Sequence, residues 1–293
     1  MIADLLDSDF IAQLERLDVL SRKILCGKLR GEKLTHRTGT SIDLADFRDY
    51  SPGDDVRFID WNVYARLDRL LLKLFLAEED FFLHILFDTS KSTDFGMPNK
   101  AIYLQQLAAA LGYVGLANRG WVTITAMADG IANATGLLRG RSRVPFLLDF
   151  IAGQQPRGQS AFAETCRKFA RTRRHRGVCV VLSDFLFRDG PQAGLRTLAA
   201  GGHDLYCIQV FSPQEVDPAI GGDVTFADLE NRETINVSLS GPVIERYKTN
   251  LNSLCSTIER DVKRLGGTYI LAHTALPFDR LVLDCLRRRG LLA

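Results

Sequence analysis

The fold can be inferred from residues 81–92, FFLHILFDTSKS, where a mostly apolar run is followed by an aspartate and three hydroxyl-bearing side chains. Such a run is typical of a strand that is buried on both faces of a sheet. A second run, Val178–Leu182, precedes Asp184. Apolar residues recur at helical spacing between the two runs, for example from Ile102 to Leu116. Strands that alternate with helices indicate an α/β fold with a mostly parallel sheet and helices on both faces.

The composition is that of an ordinary globular protein and excludes a disordered, collagen-like or membrane-embedded chain. Of the 293 residues, 46% are hydrophobic and 25% are charged. The longest apolar run, at 81–87, is far shorter than the roughly 20 residues that a membrane-spanning helix needs. The formal net charge is only +2, so the overall charge predicts no nucleic-acid partner.

The N-terminus and the cysteines together predict a cytoplasmic protein. The first ten residues, MIADLLDSDF, contain no basic segment followed by a long apolar one, so no secretory signal is expected. The six cysteines are scattered without a CxxC pair, which is typical of buried thiols in a reducing compartment.

The sequence pattern divides the chain into two parts. Residues 1–79 are predicted to form an N-terminal extension that begins with an amphipathic helix and continues as a partly β segment rich in turn residues and charges. Residues 80–293 are predicted to form the α/β domain, with a small hairpin inserted near 212–239.

The loop after the first buried strand has the composition of a cation site. Asp88, Ser90 and Ser92 place hard oxygen donors at a spacing of two, which suits Mg²⁺ or Mn²⁺. Alternatively, Asp88 caps the next turn and the serines are solvated. Since ligands of parallel sheets bind at the carboxyl ends of the strands, Asp184 is a candidate for the same site. The motifs GxxxxGK[ST], GxSxG and HExxH do not occur in the sequence. We expect His84 to be a hydrogen-bonded core residue.

Two sets of residues each resemble a motif of a known protein family. Residues of the first set resemble the metal-ion-dependent adhesion site of von Willebrand factor A domains; they are Asp88, Ser90, Ser92, Ser160 in Gly158-Gln159-Ser160, and Asp184. The second set is residues 46–66, DFRDYSPGDDVRFIDWNVYAR, which resembles the signature of the bacterial "domain of unknown function 58" family. The resemblance extends over nearly the whole chain.

The resemblance implies a von Willebrand A-like, Rossmann-type sheet and a non-enzymatic function. It also implies that the hydroxyls bind Mg²⁺ or Mn²⁺ directly and the aspartates through water, so that a partner's acidic side chain completes the coordination shell. Thr165 is an alternative to Ser160. Members of the family are commonly encoded beside MoxR-type AAA+ ATPases. The expected function is therefore that of an adaptor or co-chaperone that acts with such an ATPase on a client protein offering an acidic side chain.

Other interpretations of the same residues remain open. Thr93 replaces a methionine that is usual in the family, and Lys91 could repel a cation, so a scaffold that no longer binds metal is one alternative. A metal-dependent phosphoesterase is another, in which the basic run 167–176 would hold an anionic substrate. That run could instead be the solvated end of a helix. Charged residues beside a tryptophan in the signature segment could form a recognition surface or internal salt bridges; they are Asp54, Asp55, Arg57, Asp60 and Arg66, with Trp61. The sequence carries no signal for an oligomeric state.

Overall fold

The structure is a computed structural model that describes residues 6–17, 44–75, 81–128, 130–173, 175–218, 222–227, 234–288 and 290–292. The chain divides into two units, one formed by Met1–Lys23 with Phe81–Ala293 and the other by Ile24–Asp80. The sequence-based division at residues 79 and 80 differs from this one, because the first helix groups with the α/β domain instead of the extension.

Helix α1, Ser8–Leu14, belongs to the larger unit because its apolar face is buried there. Phe10 and Leu14 lie in the main hydrophobic core, and the Phe10 ring meets the Phe278 ring edge-on at 5.1 Å. The amphipathic helix predicted for this region is therefore present over these seven residues. The helix was predicted over residues 1–22; residues 6–7 and 15–17 are not helical, and residues 1–5 and 18–22 lie outside the described residues.

The smaller unit contains a two-stranded antiparallel sheet and one helix. Strand β1, Leu44–Asp49, pairs with β2, Leu71–Phe75, and helix α2, Trp61–Leu67, lies between them in the chain. Asp60 begins α2, because its carboxylate accepts hydrogen bonds from two backbone N–H groups of the first turn. Charged residues of the signature segment form ion pairs within this unit: Arg48–Asp54, Arg57–Asp55 and Lys73–Asp60.

The larger unit is built on a mostly parallel sheet, as the sequence predicted. Its strands are β3 Phe82–Asp88, β4 Trp121–Met127, β5 Ile131–Ala134, β6 Leu138–Arg139, β7 Val178–Ser183, β8 Asp204–Phe211 and β11 Thr268–His273. The spatial order is β11-β8-β7-β3-β4-β5, and β6 also pairs with β4. Only β5 and β6 run antiparallel to their neighbour. Counted along the chain with the short strand β6 left out, this is the 3-2-1-4-5-6 order of doubly wound folds, with an antiparallel third strand.

Helices cover both faces of this sheet. They are α3 Lys100–Ala117, α4 Val144–Ala152, α5 Phe162–Thr172, α6 Gln192–Ala200, α7 Pro213–Val216 and α8 Gly241–Arg264. Successive side chains of β3 point to opposite faces. Accordingly, Ile85 and Phe87 lie in a core with α1, α3 and α4, whereas Leu86 lies in a second core with α5, α6 and α8. The predicted hairpin is formed by β9, Gly222–Ala227, and β10, Thr234–Leu239.

Candidate functional site

The candidate site lies where the strand order of the sheet reverses. Strands β3 and β7 are neighbours, but β3 is followed in the chain by β4 on one side and β7 by β8 on the other. Crossovers that leave in opposite directions open a crevice at the carboxyl ends of the two strands. Asp88 ends β3, and Asp184 directly follows β7. The two aspartates predicted to share one site therefore lie at this crevice.

Asp88 is held by hydrogen bonds from both sides of the crevice. Its Oδ1 accepts a bond of 2.9 Å from the backbone N–H of Ser90, and its Oδ2 accepts one of 2.7 Å from the hydroxyl of Ser183. The Ser90 and Ser92 hydroxyl oxygens lie 2.9 Å apart. Thr93 is buried and donates to the Ser90 carbonyl oxygen at 2.7 Å, so it supports the turn from within.

The loop that contains Ser160 is attached to the Asp88 loop. The backbone N–H of Arg157 donates to the Thr89 carbonyl at 2.8 Å, and that of Lys91 donates to the Gly158 carbonyl at 3.1 Å. Among the described residues, the buried Ser160 Oγ has no hydrogen-bond partner. The buried Thr165 Oγ1 is also without a partner in that part of the chain. Both candidates for the third hydroxyl thus keep an oxygen available for another ligand.

Asp184 has a partner that the sequence pattern did not predict. Its Oδ2 lies 2.8 Å from Lys100 Nζ, and the same ammonium group lies 2.6 Å from Glu215 Oε1. The Lys100 side chain is only 1% exposed. Lys91, which was expected to be able to repel a cation, is exposed to solvent instead. The positively charged group that the structure places at this site is therefore the ammonium group of Lys100, at the start of α3.

Burial and charge shift the pKa values of two of these groups in the same direction. Burial raises the pKa of Asp88, and the neighbouring Asp184 carboxylate raises it further against the opposing effect of the Ser183 hydrogen bond. Burial by itself would lower the pKa of Lys100, but Asp184 and Glu215 outweigh it and raise the pKa. The lysine is therefore charged at neutral pH.

The donor set fits a hard divalent cation. It consists of carboxylate and hydroxyl oxygens, which Mg²⁺ and Mn²⁺ prefer. The Ser160 hydroxyl, which has no hydrogen-bond partner among the described residues, could serve as one more oxygen ligand at this edge. Within the described ranges no group of three or more His, Cys, Asp or Glu residues could hold a metal ion. A bound ion would therefore depend on hydroxyls and water, and metal binding stays a prediction.

Exposed apolar side chains lie on the loops at the same edge. Phe95 and Met97 follow the Asp88 loop and are 42% and 81% exposed, and Leu186 follows Asp184 and is 48% exposed. The Gln214 side chain holds the Met97 backbone on both sides, accepting from its N–H at 3.2 Å and donating to its carbonyl at 3.1 Å. We call Phe95, Met97 and Leu186 the apolar rim.

The basic run 167–176 starts on α5 and ends before β7. Its last residues lie near the amino end of β7, whereas Asp184 is at the carboxyl end, and a strand that rises about 3.3 Å per residue separates the two ends by about 16 Å. The ammonium group of Lys168 lies instead beside Gly130, just after the carboxyl end of β4. Only the last residues of the run are therefore separated from the crevice.

His84 is a core histidine, as predicted. Its side chain is fully buried, and its two ring nitrogens lie 2.8 Å from Thr123 Oγ1 and 2.9 Å from the carbonyl oxygen of His175. The carbonyl can only accept, so Nε2 carries the proton and Nδ1 accepts from the threonine hydroxyl. Burial, the largest cause, lowers the pKa of His84 to about 4.

The model of the family described as "Protein of unknown function DUF58" matches residues 46–253 of the chain. The chain belongs to this family. The match contains the signature segment 46–66 and the stretch from Asp88 to Asp184 of this DUF58 protein. The resemblance of residues 46–66 to the DUF58 family is thereby confirmed.

A relative of this DUF58 protein matches it over nearly its whole length but carries no assigned activity. The chain is 28% identical to an uncharacterized protein of Mycobacterium bovis, Mb1516, over 300 residues that cover 99% of this chain and 93% of the relative. Among solved structures, the conserved hypothetical protein BatB from Bacteroides thetaiotaomicron is similar, with 13% identity, a TM-score of 0.45 and coverage of 72% of this chain and 98% of BatB. The von Willebrand factor type A protein from Catenulispora acidiphila has 13% identity, a TM-score of 0.45 and coverage of 75% and 43%.

Two further structural observations concern the DUF58 chain. Within the residues that the structure describes, no helix combines the length and apolar character needed to cross a membrane. The sequence analysis did not predict that three further residues belong to the site: Lys100, Ser183 and Glu215. Lys100 could have been found from its spacing, because it is in phase with Leu104, Leu107 and Leu111 on the buried face of α3.

Proposed function

We propose that this protein is a non-enzymatic interaction module that binds protein partners at the carboxyl edge of its sheet, around Asp88 and Asp184. The observation that carries the proposal is the apolar rim beside a polar crevice at the point where the strand order reverses. Exposed apolar side chains that lie next to polar groups are typical of protein-interaction sites. Met97 is the most exposed of them, and the two hydrogen bonds from Gln214 hold its backbone in place.

A divalent cation assists this contact in our proposal. Mg²⁺ or Mn²⁺ would be held by Asp88, Ser90, Ser92, Ser160 and Asp184, as the family resemblance implies. When bound, it would supply a positive charge with an open coordination position that an acidic side chain of the partner can fill. The unpartnered Ser160 hydroxyl supports this role.

The partner is proposed to be a MoxR-type AAA+ ATPase, with this protein acting as its adaptor or co-chaperone toward a client. This step rests on the family resemblance. A cytoplasmic location agrees with the buried free thiols of Cys166, Cys179 and Cys207, since burial raises the pKa of each thiol and keeps it unreactive.

The proposal is tested by binding of the full-length protein to a purified MoxR-type ATPase from the same organism, measured by calorimetry without nucleotide. Met97→Glu should weaken binding at least tenfold, because it places a charge in the apolar rim. Phe146→Glu is the matched control: Phe146 is 50% exposed in α4, away from the crevice, and its substitution should change binding less than twofold.

The role of the cation is tested in the same assay. Chelation of Mg²⁺ and the substitution Ser92→Ala should each weaken binding, because both remove part of the proposed coordination. Equal binding by the wild type and Met97→Glu would show that the partner does not use this edge. Equal binding with and without chelator would contradict the role of the cation, and it would not affect the proposal that the partner binds at this edge.

A further inference from the structure

The Lys100 ammonium group lies inside the candidate site rather than at its margin. It is buried between Asp184 Oδ2 at 2.8 Å and Glu215 Oε1 at 2.6 Å. A fully buried lysine is rare unless it is paired, and this one has two carboxylate partners. Because Lys100 lies on the first turn of α3, the position of this helix restricts where its ammonium group can lie. The lysine is thus a permanent cation attached to the protein at the edge where a divalent ion is expected.

Asp184 has no carboxylate oxygen left without a hydrogen bond. Its Oδ1 accepts from the backbone N–H of Leu186 at 3.1 Å, and its Oδ2 accepts from Lys100. A cation that uses Asp184, directly or through water, either shares Oδ2 with the ammonium group or uses the second lone pair of Oδ1, and in both cases it meets the charge of Lys100 on the same carboxylate. Like charges that share one carboxylate repel each other strongly where water is excluded.

Glu215 gives the ammonium group a second place to bind. Its other oxygen, Oε2, accepts from the backbone N–H of Ser212 at 2.8 Å and from the Ser212 hydroxyl at 3.0 Å, so the carboxylate is held in position at the start of α7. If Asp184 is given up to an ion, Lys100 keeps a charged partner without leaving the interior. The exchange therefore needs no exposure of the lysine.

We propose that Lys100 is a tethered competitor of the divalent cation: it neutralises Asp184 when no ion is present, weakens ion binding, and retains Glu215 as its partner when the ion binds. This inference rests on the proposed use of a cation at Asp88 and Asp184. It predicts that the site holds Mg²⁺ weakly and exchanges it readily. Because Lys100 stays in the interior beside Glu215, the ion adds its charge to the site without displacing the charge of the lysine, and this repulsion is what weakens its binding.

The test is calorimetric titration of the full-length protein with MgCl₂. Lys100→Met removes the competing charge and should bind Mg²⁺ at least tenfold more tightly than the wild type. Lys263→Met makes the same change of charge at an exposed lysine that pairs with Glu259, and it should change the affinity less than twofold. The melting temperature gives a second readout, since Mg²⁺ should raise that of Lys100→Met more than that of the wild type.

Glu215→Gln is the second variant, in case Lys100→Met folds poorly. It removes the alternative partner of the ammonium group, so Lys100 should hold Asp184 more firmly and Mg²⁺ binding should weaken. The inference is overturned if Lys100→Met binds Mg²⁺ no more tightly than the wild type, or if none of the proteins binds it. These results are independent of the ATPase assay, in which Met97→Glu tests the docking edge without reference to the ion.

Discussion

Lys100 Nζ lies 2.8 Å from Asp184 Oδ2, and this buried ion pair joins the start of α3 to the end of β7. The pair links two elements that flank the crevice. Because its members are withdrawn from water, the energy of each charge depends on the presence of the other. The pair thus contributes to the stability of the edge as well as to its proposed function.

Lys100→Met should destabilise the protein by about 3–5 kcal/mol when no divalent ion is present, because it leaves Asp184 and Glu215 without their buried cation. Urea unfolding in the presence of chelator measures this change. Lys168→Met removes only an exposed helix pair and should cost less than about 0.5 kcal/mol. Similar losses for the two variants would contradict a structural role of the buried pair.

Gly96→Ala should destabilise the fold by about 2–4 kcal/mol. Gly96 has a φ of +89°, and an added Cβ would overlap the Ser212 Cβ, so both the backbone conformation and the contact with the Ser212 loop oppose a side chain. Thermal or urea unfolding measures the effect. Gly136→Ala is the control, since nothing lies within 4 Å of its added Cβ, and we expect little change there. A tolerated Gly96→Ala would mean that the loop bearing Met97 is not packed against Ser212.

Ser183→Ala should cost about 1–3 kcal/mol, because the buried hydroxyl both donates to Asp88 and accepts from the backbone N–H of Phe185. Its loss should also raise the pKa of Asp88, which NMR titration of the carboxyl carbon can detect. Ser253→Ala, at an exposed position of α8, serves as the control and should be nearly neutral. An unchanged Asp88 titration in Ser183→Ala would argue against the hydrogen bond.

The stability of the protein should fall as the pH drops from about 6.5 to about 4 in part because of His84, whose pKa burial lowers to about 4. Over this window the unfolded chain binds a proton at His84 and the folded chain does not, so stability is complete above the unfolded pKa and is lost below it. The full contribution is about 3 kcal/mol. Unfolding of the wild type and of His84→Leu between pH 7 and 4.5 isolates this part.

NMR of the imidazole nitrogens checks the same prediction directly. The ring of His84 should stay neutral at pH 5, with its proton on Nε2, because that atom faces the carbonyl oxygen of His175. A midpoint near the ordinary value of histidine, or an equal pH dependence in His84→Leu, would be the contrary result.

The parallel sheet and the position of Asp88 and Asp184 could be predicted from the sequence, because strands buried on both faces leave long apolar runs. The start of α3 could not. The prediction placed it at Ile102, which is 53% exposed, whereas Asn99 caps the helix and Lys100 begins it. A lysine next to a polar cap suggests solvent, and only the distant Asp184 and Glu215 make its burial favourable.

The predicted division after residue 79 differs from the division by contacts for a related reason. Local composition separates residues 1–79 from the rest, but α1 is placed by contacts with residues far along the chain. Phe10 meets Phe278, and the side chain of Asn118 donates to the carbonyl of Leu17 at 2.7 Å. Such long-range packing leaves no periodic signal in the segment itself.

The hydrogen bond from Ser183 to Asp88 connects residues 95 positions apart in the chain. Contacts of such separation form only after the intervening crossovers have closed, so they belong to the late part of folding. The crevice is consequently missing from a nascent or truncated chain that has not yet added β7 beside β3. A partner that bound at this edge would therefore bind only molecules in which β7 has already paired with β3.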